Sequence, residues 1–115
     1  MTRRELIDHC LTLSAVYEDY PFDDETAVIR HTENKKIFAL FINRNGREFL
    51  NLKCDPFEAD FLRQAFEGII PAYHMNKEHW NTVVIGADIP EPEIFRQIEN
   101  SYTLTKSKSK KVKSK

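Results

Sequence analysis

The sequence predicts an α+β two-layer sandwich, a five-stranded antiparallel sheet with its helices on one face, in the order αβββαββα. Three observations predict it. Asn45-Gly46 joins two strand-like runs, Ile37 to Ile42 and Glu48 to Lys53, and supplies the positive φ values of a tight hairpin. A second pair of short runs, Ala72 to Met75 and His79 to Ile85, is joined at Asn76-Lys77-Glu78, which gives a second hairpin. Amphipathic helical patterns stand at both ends and between the hairpins.

Thr2 followed by Glu5 forms a capping box, and Leu6, Ile7, Cys10, Leu11 and Leu13 recur on one broad face, so a helix is expected from Arg3 to Ala15. Pro21 ends any helical course, because it holds Tyr20 in extended geometry, and a short strand from Ala27 to Arg30 follows. The first arm of the central hairpin is apolar at every position, which predicts a central strand covered on both faces. Its second arm alternates, with Leu50, Leu52 and Cys54 on one side and Phe49, Asn51 and Lys53 on the other. Asp55-Pro56 is an N-cap with proline at the first helical position, opening a helix that carries Phe57, Phe61, Leu62, Ala65 and Phe66 to its stop at Gly68. A last helix, Glu91 to Thr103, is expected to bury Ile94, Phe95, Ile98 and Tyr102.

With 115 residues, 41% hydrophobic and 30% charged, the chain has ordinary globular composition and the length of one domain, residues 1–105. Residues 106–115 alternate Lys and Ser without apolar periodicity, which predicts a disordered tail. No apolar run is long enough to span a bilayer, and the N-terminus lacks the apolar core of a secretory signal, so a cytoplasmic protein with no membrane partner is expected. Cys10 and Cys54 are then free thiols. The formal charge of −1 hides an asymmetry: six Lys lie in the tail, leaving 11 basic against 18 acidic groups, a net −7, in the body. An acidic body opposes whole-surface binding to phosphates, so nucleic-acid affinity must come from a local patch or the tail.

Recognition chemistry concentrates between Gly68 and Val83, which hold two His, two Asn, the one Trp, a Tyr and a Lys. Helices cover one face of such a sheet, so polar and aromatic groups on the other would suit a nucleic acid or a small anionic ligand; alternatively Trp80 and Tyr73 finish the rim of the core while the histidines and asparagines satisfy turns. His74 and His79 could ligate a metal with Asp55, Glu78 or Cys54, but no metal-binding spacing is present, and no metal or cofactor is expected. Cys54 precedes a helix N-terminus, where a thiol can be activated, yet it shares a face with Leu50 and Leu52 and stands beside Asp55, which points to an inert core cysteine. Asp23, Asp24 and Glu25 read as a solvated turn. Neither a phosphate loop nor a catalytic triad is present, and no catalytic residue is assigned.

Tyr20-Pro21-Phe22-Asp23, Leu50-Asn51-Leu52-Lys53-Cys54-Asp55-Pro56, Ile69-Ile70-Pro71-Ala72-Tyr73-His74-Met75-Asn76-Lys77 and His79-Trp80-Asn81-Thr82-Val83 closely resemble the MmcQ/YjbR family over the body from the first helix to about Tyr102. That resemblance implies a small bacterial protein with a CyaY-like fold and a double-wing DNA-binding motif. It implies a non-enzymatic DNA-binding module, with Arg44, Asn45 and Arg47 on one wing, Asn76, Lys77 and His79 on the other, and Asn51, Lys53, His74, Trp80 and Asn81 between them. Where the family pattern has a basic residue between Lys77 and His79, this chain has Glu78. A CyaY-like fold also raises iron binding, through acids crowded along the first helix and edge strand, and that helix here offers only Glu5 and Asp8.

Overall fold

The computed structural model describes residues 1–72 and 75–107. Among them the chain forms α1 (Arg3–Leu11), β1 (Val16–Asp19), β2 (Ala27–His31), β3 (Ile37–Arg44), β4 (Arg47–Lys53), α2 (Pro56–Ala65), β5 (Ile69–Pro71), β6 (Trp80–Val84) and α3 (Glu91–Thr105). The sheet has six strands in the order β1-β2-β3-β4-β6-β5, antiparallel throughout. The expected five strands omit β1.

That omission follows from the end of α1. The capping box at Thr2 and Glu5 forms as expected, but the helix closes at Leu11 rather than Ala15. Ala15 then takes φ 57°, a left-handed conformation that redirects the chain, and its carbonyl accepts the Thr32 amide. Val16–Asp19 pairs with β2 as an edge strand and is fastened on both faces by arginines: Glu18 meets Arg4 of α1 at 2.9 Å, and Asp19 meets Arg30 of β2 at 2.9 Å.

All three helices lie on one face. Alternation through the register puts Ala27, Ile29, Ala39, Phe41, Leu50, Leu52, Ile69 and Val83 on that face, where they join Leu6, Ile7 and Cys10 of α1, Ala59 and Leu62 of α2, and Ile94 and Ile98 of α3 in one core. The register of β2 against β3 shifts between Ile29 and Arg30, so that Phe38 as well as Ala39 is buried with the helices.

Three expectations change here. The central strand β3 is covered by helices on one face only, and Leu40 and Ile42 on its other face remain half-buried. Helix α2 ends at Ala65 rather than running to Gly68, and Phe57 and Phe61 are 89% and 68% exposed, because the face of α2 that meets the sheet is the one with Ala59 and Leu62. The second hairpin is offset, with β5 at Ile69–Pro71, β6 beginning at Trp80 and residues 72–79 linking them; the expected strand Ala72 to Met75 falls partly outside the described residues. In α3, Ile94 and Ile98 are buried with Gln97, Ser101 and Thr105, while Phe95 and Tyr102 are half-buried against the core.

His31 sits 5% exposed under the last turn of α3, its Nε2 2.7 Å from the Thr105 hydroxyl and its ring against Phe38 and Tyr102. Burial disfavours the imidazolium and holds the pKa below the ordinary value, despite a hydrogen bond to the Tyr102 backbone. The unfolded chain therefore takes up the proton first, and the stability owed to neutral His31 is present above about pH 6.5 and lost as pH falls toward the lower folded value. Thermal midpoints measured across that range are expected to fall with pH in the native protein. In His31→Gln the fall should be shallower, from a lower starting stability; equal slopes would show that His31 titrates alike in both states.

Candidate functional site

The strand positions facing away from the helices share one side of the sheet, on which Val28, Asn51 and Thr82 are themselves buried. Reading across the register, Arg44 opposes Arg47; Ile42 opposes Phe49, which opposes Val84; Leu40 opposes Asn51, which opposes Thr82 and then Ile70; Lys53 opposes Trp80. On β1 and β2 the same face carries Tyr17, Asp19, Val28 and Arg30. Charge on this face is one-sided. Arg30, Arg44, Arg47 and Lys53 are its cations, and the acid among these strand positions, Asp19, is held by Arg30.

The β3–β4 hairpin ends in Asn45 at φ 53° and Gly46 at φ 83°, the geometry of a type I′ turn, with the Gly46 amide donating to the Asn43 side chain. Its tight turn sets Arg44 and Arg47 directly opposite one another. Beneath them lies a cleft of about 300 Å³. Arg44, Asn45 and Arg47 line its outer end, Ile42, Phe49 and Ile70 its floor, and Asn51 and Thr82 its inner end. The Arg47 guanidinium stands 5.9 Å from the Phe49 ring centroid, a cation–π distance. At the inner end Asn51 accepts the Thr82 hydroxyl and donates to the Met75 sulfur at 3.3 Å, which ties the 72–79 connection to the open face.

Arg63 of α2 positions the rest of that connection. Its Nε donates to Asn81 at 2.6 Å, and Nη2 donates to the Lys77 and Trp80 carbonyls. Cys54 N–H donates to the His79 carbonyl at 2.8 Å, completing the anchorage beside Trp80.

Of the residues selected from sequence, Arg44, Asn45, Arg47 and Asn51 come together around the cleft, and Lys53 and Trp80 extend the same face as neighbours. Asn81 does not join them. It is 1% exposed on the helix side, where it donates to the Ala59 carbonyl and accepts from Arg63, so it holds α2 to the sheet. Asn76 is exposed, but its side chain accepts the Glu78 amide and caps the turn. Lys77 is exposed, and His79 is half-buried with Nε2 3.9 Å from Glu78. Tyr73 and His74 lie outside the described residues, as does the tail from residue 108. Sequence reading missed Arg30, Ile42, Phe49, Ile70 and Thr82 on this face, and Arg63 behind it; the parity of β4, already assigned, was the signal that could have drawn Phe49 in beside Asn51.

Among the described residues no group of three His, Cys, Asp or Glu side chains is placed to hold a metal ion. Both thiols are poor nucleophiles. Burial pushes the Cys10 thiol up to about 12, and burial together with Glu58 and Asp55 pushes Cys54 up to about 11.

Residues 11–104 match the YjbR family model, and the chain belongs to that family. It is 38% identical to YyaQ of Bacillus subtilis, covering 92% of this chain and 99% of that relative. With YjbR of Escherichia coli K12 it shares 28% identity over 89% of this chain and 85% of the relative. A crystal structure from Pseudomonas syringae superposes with a TM-score of 0.82 at 36% identity, covering 92% of this chain and all of the other. A Deinococcus radiodurans structure of domain DUF419 also reaches 0.82, at 35% identity over 93% of this chain and 80% of that one.

At pH 8 roughly one Cys54 thiol in a thousand is ionised. Iodoacetamide at that pH, followed by intact-mass spectrometry, is expected to leave both cysteines of the folded protein largely unmodified and to alkylate both in denaturant. Fast labelling of Cys54 in the native protein would reopen it as a nucleophile.

Proposed function

We propose that the face of the sheet opposite the helices binds DNA, with the β3–β4 hairpin and the 72–79 connection as two wings and no chemical step. The observation that carries this reading is the segregation of charge. Although the body is net −7, its acids lie on the helices, in loops, on β1 and at Glu48 of β4, where Glu48 meets Arg3 of α1 at 2.9 Å and Asp19 of β1 is held by Arg30, while the open face presents Arg44, Arg47 and Lys53 beside Phe49 and Trp80. Cations beside aromatic rings are the pairing that strand-binding surfaces use, the cations for phosphate and the rings for bases. Lysines of the 106–115 tail would add sequence-independent attraction. The double-wing motif and CyaY-like fold implied by the family resemblance accord with this use of the hairpins, and a DNA-binding role accords with the cytoplasm; no described helix is long and apolar enough to cross a membrane. Serving iron instead would need acids free on α1 and the edge strand, and here Glu5 is engaged in the capping box, Asp8 pairs with Arg4 at 3.1 Å, and Glu18 and Asp19 of β1 pair with Arg4 and Arg30, each at 2.9 Å.

A second reading is favoured by one observation, the cleft itself: a small anionic ligand could lie on Ile42 and Phe49 with its charge at Arg44 and Arg47. Salt separates the two. Binding through several phosphates weakens steeply with ionic strength, whereas a single pocketed anion responds mildly.

Two substitutions, read by fluorescence anisotropy across a salt series, test which forces act. Glu78 is exposed, so Glu78→Lys should change stability by no more than about 0.5 kcal/mol. It should raise DNA affinity and steepen the salt slope by about 1. Trp80→Ala should weaken binding at every salt concentration by about 1–3 kcal/mol without altering the slope. If neither variant moves the affinity while both stay folded, the 72–79 connection is not a wing and the small-ligand reading takes its place.

A further inference from the structure

We infer that the cleft beneath the β3–β4 hairpin seats one unstacked nucleotide of a DNA strand, its phosphate between Arg44 and Arg47 and its base against Phe49 and Ile42. This rests on the DNA-binding reading and narrows it from a duplex-reading surface to a single-strand seat. Three features of the cleft carry it.

The first is the arginine pair. Like charges at directly opposed positions of an antiparallel pair repel, and Arg44 and Arg47 occupy such positions at the last rung before the turn. An anion between the two guanidinium groups would turn that repulsion into attraction. A phosphate oxygen set also suits their fork of donors better than a point contact would.

Size is the second feature. From the arginine rung to the Asn51 rung is four residues along β4, about 13 Å at the strand rise of roughly 3.3 Å per residue. That length accommodates a phosphate, sugar and base laid end to end. A volume of about 300 Å³ is at the small end for ligand sites and admits one base, not the edge of a duplex.

The third feature is the division of apolar and polar groups. Ile42, Phe49 and Ile70 offer a flat apolar floor under the point where the base would rest. Beyond it, the Asn51 carboxamide is engaged by Thr82 and Met75, so the inner end has little left with which to read a base edge. The seat should therefore stack bases without choosing among them, as sequence-tolerant strand binders do. It also requires a base that is already unstacked, since a base inside a duplex hides the faces that Phe49 would touch.

Anisotropy with fluorescein-labelled oligo-deoxythymidylate and with a duplex of equal length, both across a salt series, tests the inference. The strand should bind about tenfold or more tighter than the duplex, and Phe49→Leu should weaken the strand by about tenfold with its salt slope unchanged. Arg47→Gln should weaken it with a shallower slope. Titration of the native protein with thymidine monophosphate, followed by amide chemical shifts, keeps the test independent of how well the variants fold: shifts centred on Arg47, Phe49 and Ile70 support the seat. Duplex bound as tightly as strand, with Phe49→Leu silent, would overturn the seat and leave the DNA-binding reading standing. Failure of both polymers to bind at low salt would remove that reading, and shifts absent from the cleft would remove the nucleotide with it.

Discussion

Ser101 of α3 donates its hydroxyl proton to the Phe38 carbonyl at 2.7 Å and accepts the Lys53 amide at 2.9 Å, with no exposure to solvent. The register of β3 against β4 ends at Ala39 opposite Leu52, next to the place where β3 shifts to bury Phe38 and Ala39 on the same side. A hydroxyl from the helix thus supplies the rung that the two strands no longer share. Without it a buried carbonyl and a buried amide would each stand unpaired, at about 1–3 kcal/mol apiece. Because the bond is donated from α3, it also fixes that helix across the two central strands. The remaining helices are then placed by what is left: α1 against α3 and the β1–β2 side, α2 against β5 and β6.

With every helix committed to one face, the opposite face keeps apolar residues that no helix covers, Leu40, Ile42, Phe49 and Val84 among them. A sheet in this position is ordinarily polar outward. Here arginine and lysine stems flank the apolar strip and a loop is strapped across part of it by the Asn51–Met75 contact and by Arg63 from behind. Packing and recognition are therefore separated by the thickness of one sheet, and a substitution on either side should be felt mainly on that side.

Legibility of the chain followed how local each signal was. Asn45-Gly46, the Thr2 capping box and the Asp55-Pro56 cap act within a few residues, and each appears where the residues place it. Edge strand β1 was hidden because its evidence is not local: Val16–Asp19 is held by arginines from α1 and β2, and its start depends on a left-handed alanine that no residue preference announces. The exposure of Phe57 and Phe61 was not legible for a related reason. Their spacing marks a helix face, but which face meets the sheet is settled by how closely α2 approaches, and small Ala59 allows the closer approach. At the site, residue type pointed to Arg44, Arg47, Asn51 and Trp80, while Asn81 was misread because its neighbours in sequence are on the surface side and only strand parity turns it inward.

How an acidic protein can hold a polyanion turns on distance. Layers of packed secondary structure lie about 10 Å apart, so the acids of α1, α2 and α3 stand farther from the open face than one Debye length, about 8 Å at physiological ionic strength. At that salt the helix acids are largely screened from the arginines near the hairpin. Glu67 and Asp88 are nearer, lining the groove that adjoins Arg47, but Asp88 is already engaged by the Gly68 amide. Lower the ionic strength to about 0.01 M and the Debye length grows to roughly 30 Å, which brings every acid of the body into play. Contact attraction and whole-body repulsion then strengthen together. The salt slope such a surface shows is therefore somewhat smaller than the number of phosphates it touches, while still exceeding that of a single pocketed anion.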